Sequence, residues 1–156
     1  SSAPQTQYNV WDAISEGPVL AIGRTPNYIE LHPGESGTLT VQVLNLGRGM
    51  GTVEVSETIP AGTEAHSFSV TPSRTRDNTD GSTTITWEFK MPGSEDDPDL
   101  SVPTTYDQIE ITYGITMLDA ECGQRQTSWA PEVAWQDVWE RPFVSYGTPL
   151  VIACCE

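Results

Sequence analysis

The feature that most constrains this chain is alternation of apolar and polar residues with a period of two, the signature of strands that bury one face. Leu39, Val41 and Val43 fall on one side of such a run, with Thr38, Thr40 and Gln42 on the other. Val53 and Val55 repeat the pattern. Ile85, Trp87, Phe89 and Met91 form a third stripe, and Ile109, Ile111, Tyr113, Ile115 and Met117 the longest. Turn formers separate the runs: Pro33-Gly34, Gly47 to Gly51, Pro60-Ala61-Gly62 and Asp80-Gly81. Glycine supplies positive φ there, and proline ends ladder pairing. The expected fold is all-β, an antiparallel Ig-like, Greek-key β-sandwich with an N-terminal arm. Pro131 and β-rich surroundings leave the segment 128–140, the nearest approach to a helix, ambiguous.

A length of 156 residues suits one domain spanning 1–156. The acidic stretch 93–99 reads as a solvated loop within that domain, because similar strands flank it. Twenty-two Asp and Glu against seven Lys and Arg give a net charge of -15, which argues against nucleic acid and anionic lipid as partners. No run reaches the roughly 18 apolar residues that a membrane helix needs, so no transmembrane segment is expected. A chain starting at Ser1 suggests a leader already removed, and with it an extracellular or cell-surface location.

Part of the strand and turn pattern is more specific. A strand leads into Pro33-Gly34-Glu35, followed by Thr38-Leu39-Thr40-Val41-Gln42-Val43-Leu44-Asn45-Leu46-Gly47, then Val53-Glu54-Val55, the turn Thr58-Ile59-Pro60-Ala61-Gly62 and the strand Ile85-Thr86-Trp87. On these residues the stretch from Tyr28 to Met117 resembles the conserved-repeat Ig-like domains of large bacterial and archaeal surface proteins. The resemblance implies a sandwich fold and a surface location. The N-terminal arm with Trp11, the tryptophan-rich segment 128–140 and the cysteine-bearing end have no counterpart in that pattern.

Chemistry-bearing motifs are sparse, and an enzyme is not expected. His32 and His66 stand beside turns with no Ser, Cys or Asp motif near them, and the chain lacks phosphate loops, paired zinc histidines and nucleophile elbows. No cofactor is expected. Asp77, Asp80, Asp96, Asp97 and Asp99 are weak calcium candidates, since 77–81 lacks the alternating oxygen spacing of an EF-hand loop. Cys122, Cys154 and Cys155 are an odd set without C-x-x-C spacing; in an oxidising compartment Cys122 would pair with one of the terminal two, leaving the other free or bonded to a neighbouring chain. Trp129, Trp135 and Trp139 could cap the sandwich, anchor a protein interface or offer a stacking platform for sugars.

Two continuous apolar runs, Val19 to Ile22 and Leu150 to Cys154, break the alternation and call for cover on both faces, from the chain itself or from another subunit. The functional expectation is a structural subunit of an extracellular filament or surface assembly. Residues 1–22 would serve as an assembly arm or exchanged strand completing the sheet of the next copy, a head-to-tail contact that propagates into a homopolymer. The assembly residues in this reading are Tyr8, Val10, Trp11, Ile14, Val19, Leu20 and Ile22, together with Leu150, Val151 and Ile152. The alternative is a monomeric adhesin or carbohydrate-binding module working through the tryptophans.

Overall fold

A computed structural model describes residues 19–45, 51–91, 107–118, 125–127, 130–136 and 140–154, with the backbone alone at 51, 90, 91, 107, 125–127 and 154. Among them the chain forms twelve strands: β1 (Leu20–Thr25), β2 (Tyr28–Leu31), β3 (Ser36–Asn45), β4 (Gly51–Ile59), β5 (Thr63–His66), β6 (Arg74–Asp77), β7 (Thr83–Met91), β8 (Asp107–Met117), β9 (Arg125–Thr127), β10 (Glu132–Gln136), β11 (Pro142–Tyr146) and β12 (Val151–Cys154). They assort into a four-stranded sheet, β1-β3-β8-β5, a five-stranded sheet, β11-β10-β4-β7-β6, and a small sheet, β2-β12-β9. The all-β sandwich expected from the alternation is the observed fold. The connections from β3 to β4, β4 to β5, β5 to β6 and β7 to β8 cross between the two large sheets, β6–β7 and β10–β11 pair within one, and the ladders within those sheets are antiparallel.

Each alternating stripe faces inward. Leu39, Val41 and Val43 of β3 and Ile111, Tyr113, Ile115 and Met117 of β8 meet Val53, Val55, Ile59, Ile85 and Trp87 from β4 and β7. Each fully buried aliphatic or aromatic side chain contributes about 1.5–3 kcal/mol relative to exposure, so these stripes carry the fold. Phe68, Trp87 and Tyr113 cluster in the core with ring centroids 6.0 to 6.3 Å apart, and the Trp87 indole N–H donates to the Val70 carbonyl at 2.9 Å. Burial of the indole therefore leaves no polar group unpaired.

Three sequence expectations are refined. The ambiguous segment 128–140 contains a strand: Val133 and Trp135 of β10 are buried while Glu132 and Ala134 on the opposite side are partly exposed. The pattern was too short to be decisive on its own. Next, β12 runs parallel to β2, pairing Val151 with Tyr28 and Cys154 with Leu31, whereas antiparallel strands were expected throughout. Strands far apart in sequence have no short connection to force an antiparallel return. Finally, the apolar runs at both ends find cover within the chain itself. Leu20 of β1 lies 3% exposed opposite Asn45, and β12 is the central strand of its sheet, with Leu150 and Ile152 fully buried in the common core. No second subunit is required to hide them.

Candidate recognition face

The outward face of the five-stranded sheet is built from cross-strand rows. One row reads Tyr146, Glu132, Ser56, Thr86 and Arg74 from β11 to β6. The next joins Thr58, Thr84 and Arg76. On the other side of the first row stand Val144, Ala134, Glu54 and Glu88. Alternation turns all these residues away from the core because their neighbours Val55, Ile85 and Val133 point into it, although Thr86 is covered to 4% exposure by its neighbours. With the 78–82 loop as one wall, the first two rows enclose a groove of about 860 Å³.

The groove floor is a lattice of paired hydroxyls. Ser56 Oγ and Thr86 Oγ1 lie 3.2 Å apart, and Thr58 Oγ1 and Thr84 Oγ1 3.0 Å apart. Asn78 is pinned above them, its Nδ2 donating at 3.0 Å both to Ser82 Oγ and to Thr84 Oγ1. Asp80 closes the loop by accepting from the Ser82 N–H at 2.9 Å and the Ser82 hydroxyl at 2.5 Å. Those two bonds, the hydroxyl first, hold its carboxyl below the usual range.

The two arginines on β6 are held differently. Arg74 reaches Glu54 at 3.1 Å and Glu88 at 3.3 Å, and the Glu54 hydrogen bond leads the causes that raise its pKa. Arg76 donates its Nε–H to Asn78 Oδ1 at 3.1 Å and takes part in none of the ion pairs found among the described residues.

At the other margin, β11 is an open edge. Gly147 donates its N–H to the Pro131 carbonyl at 2.9 Å, which sets the alternation of the β10–β11 ladder. Phe143 and Ser145 thus exchange bonds with β10, and Val144 and Tyr146 aim their N–H and C=O groups away from it. Among the described residues nothing pairs with that side. Phe143, Val144 and Tyr146 are also three of the five exposed large hydrophobic side chains among those residues, at 40%, 44% and 65% exposure. The opposite edge, β6, reads Arg74, Thr75, Arg76, Asp77, and such charge discourages strand addition.

The candidates named from sequence scatter. Trp135 is 9% exposed and stacks on Phe143 with centroids 5.7 Å apart, so it belongs to the core rather than to an exposed sugar platform. Trp129 and Trp139 lie outside the described residues, as do Tyr8, Val10, Trp11 and Ile14. Leu20, Leu150 and Ile152 are core residues, while Val19, Ile22 and Val151 are half-buried, which removes the run from Val19 to Ile22 as an exchangeable strand. Cys122 and Cys155 are outside the described residues, and Cys154 is described only as backbone in β12. Of the calcium candidates, Asp77 accepts from the Thr83 hydroxyl at 3.3 Å and Asp80 from Ser82; Asp96, Asp97 and Asp99 are outside the described residues. No group of three His, Cys, Asp or Glu able to hold a metal occurs among the described residues. His66 bridges Ser67 Oγ at 2.8 Å and Thr116 Oγ1 at 2.6 Å, with no carboxylate in the chain of bonds.

One constellation escaped sequence reasoning altogether. Arg24 and Glu57 form a buried, bidentate pair, Nε to Oε2 at 2.8 Å and Nη2 to Oε1 at 2.9 Å, and the Tyr113 hydroxyl donates to the same carboxylate. The remaining guanidinium nitrogen donates to Asn27 Oδ1 at 3.2 Å and to the Thr148 carbonyl at 3.0 Å. The network ties β1, β4 and β8 together with every buried side-chain polar atom among the described residues partnered. It reads as structural, since all its donors and acceptors are consumed internally.

Fold and face together define a β-sandwich whose distinctive chemistry lies on one sheet surface and one sheet edge. No family model matches the sequence, and no curated protein matches it. Solved structures do share the fold. The major pilin subunit BcpA of Bacillus cereus superposes with a TM-score of 0.56 at 8% identity over 88% of this chain, which spans 40% of the length of that subunit. The third cohesin ScaC of Acetivibrio cellulolyticus, solved in complex with the ScaB dockerin, gives 0.51 at 11% identity over 88% of this chain and all 100% of its own. A non-cellulosomal cohesin from the archaeon Archaeoglobus fulgidus gives 0.50 at 8% identity over 88% of this chain and 91% of its own. These likenesses establish the sandwich fold that the sequence pattern implied.

Proposed function

We propose that this chain is a non-catalytic structural domain of an extracellular surface assembly, joined to other copies of itself by strand addition at β11. The observation that carries the reading is the open edge: Val144 and Tyr146 turn outward backbone groups that no described residue pairs, on an exposed apolar strand, while the opposite edge of the same sheet is charged. An unprotected edge of that kind is a template for a partner strand. The proposed donor is Tyr8 to Ile14 of a neighbouring copy, where Tyr8, Val10 and Ile14 share one parity and would lie on one face of the added strand. The donor segment precedes β1, which begins at Leu20, so in sequence it lies outside the twelve strands. Head-to-tail addition does not close on itself and so builds a fibre. A pilin subunit and a dockerin-bound cohesin use this same fold, which supports a scaffold role for it.

The sugar-platform alternative loses Trp135, which is buried. Two variants test strand addition by sedimentation velocity and electron microscopy. Removal of residues 1–14 is expected to leave a folded monomer, and Val144→Pro, which deletes one outward N–H without touching a β10 bond, is expected to have the same effect. Undiminished oligomers in both variants, or a full chain that stays monomeric at every concentration, would reject the mechanism.

A further inference from the structure

We infer that the groove on the outer face of the five-stranded sheet binds an acidic oligosaccharide, with the Arg76 guanidinium receiving a uronate carboxylate. Charge is the first argument. On a chain of net charge -15, Arg76 is a surface guanidinium that takes part in none of the ion pairs found among the described residues. Arg74, one row away, already carries Glu54 and Glu88, whereas among the described residues Arg76 is steadied at Nε by Asn78 alone, which leaves its two terminal nitrogens for an anion. Asn78 is itself fixed by Ser82 and Thr84, so the guanidinium is held in advance of any ligand.

The floor supplies the second argument. Ser56, Thr58, Thr84 and Thr86 form two bonded hydroxyl pairs, and each hydroxyl can donate once and accept twice, so each pair keeps capacity for a ligand. Sugar hydroxyls, which also both donate and accept, match such a lattice. A peptide anchored by large apolar side chains matches it less well, because among the described lining residues Tyr146 alone carries a large apolar side chain, the rest of the apolar lining being Ala130 and threonine methyls. Asp80 and Glu132 also line the groove, so a uronate carboxylate is placed at the Arg76 end. Tyr146, at the far end of the first row, gives a pyranose ring an exposed aromatic edge to rest on. A volume of about 860 Å³ accommodates a short oligomer rather than a single ring. The site does not rest on strand addition, since Arg76 and the hydroxyl floor lie on β6, β4 and β7, and Tyr146 of β11 contributes its side chain rather than its outward backbone.

The experiment is calorimetric titration of the full chain with trigalacturonate, with maltotriose and hexaglutamate as comparison ligands. Trigalacturonate is expected to bind saturably and the other two at least about tenfold more weakly. Arg76→Gln should weaken trigalacturonate by about tenfold or more with an unchanged melting temperature, and Arg141→Gln, which removes an equal charge outside the groove, should leave it unchanged. Hexaglutamate binding as tightly as trigalacturonate would assign the groove to acidic peptides. Equal losses in both arginine variants would reduce the effect to general charge, and absence of any trigalacturonate heat would remove the site.

Discussion

Glu57 illustrates what a single residue can hide. It continues the inward stripe of Val53 and Val55 toward Ile59, and Arg24 likewise continues Leu20 and Ile22, so both occupy core positions in their strands, a placement that sequence reasoning passed over. What could not be read was that they meet, because β1 and β4 belong to different sheets. Losing one member of such a buried pair usually costs about 3–5 kcal/mol, since the other charge is left uncompensated. Tyr113 adds a pH signature to this network. Burial first, then the Glu57 charge and its hydrogen bond, push the phenol well above its ordinary value near 10, so the folded state holds the proton that the unfolded state releases. Stability from this group is complete below the unfolded pKa and is lost as pH rises beyond it, at about 1.4 kcal/mol per pH unit. Urea unfolding between about pH 9 and about pH 11 should show this decline, and Tyr113→Phe should flatten it while lowering stability at every pH. A slope identical in both proteins would place the alkaline sensitivity elsewhere.

Among the elements, β3, β4, β7 and β8 were legible because a period of two is a local property that needs no partner to be recognised. β10 and β11 were not, because strands of five residues carry too few alternations to outvote their proline-rich surroundings, while β12 showed itself as a continuous apolar run with no sign of its partners. The docking of β5 on β8 rests on a closeness no local pattern reports. A Cβ added to Gly114 would sit 2.6 Å from His66 Cε1, so the glycine makes room for the ring that bonds Ser67 and Thr116. Gly114→Ala is therefore expected to cost about 1–3 kcal/mol in urea unfolding, and most of that cost should vanish in a His66→Ala background. If the penalty is the same with and without the imidazole, the close approach is not its source.

At the scale of the molecule, the C-terminal strand closes the sandwich. β12 inserts between β2 and β9, and Leu150 and Ile152 reach the common core. A chain ending at residue 149 loses two buried aliphatic side chains, each usually worth about 2–5 kcal/mol, together with the partner of both flanking strands. Against a typical total of about 5–15 kcal/mol, that loss should abolish a cooperative thermal transition, as followed by circular dichroism. A sharp transition in the truncated chain would mean that the terminal run is dispensable to the core. The same closure explains why the apolar ends need no neighbour to cover them, and it moves the case for assembly from hidden apolar area to the exposed backbone of β11.

The sequence alone determined the class of fold, the inward stripes of the long strands and the turns between them, because side-chain alternation and the φ demands of glycine and proline act over a few residues. Only the tertiary structure decided which strands are neighbours, that β2 and β12 run parallel, that Arg24 finds Glu57, and that serine and threonine hydroxyls from β4 and β7 line up beside Arg76. Register and sheet order are long-range choices, and one residue of slip would have turned that hydroxyl floor into the core.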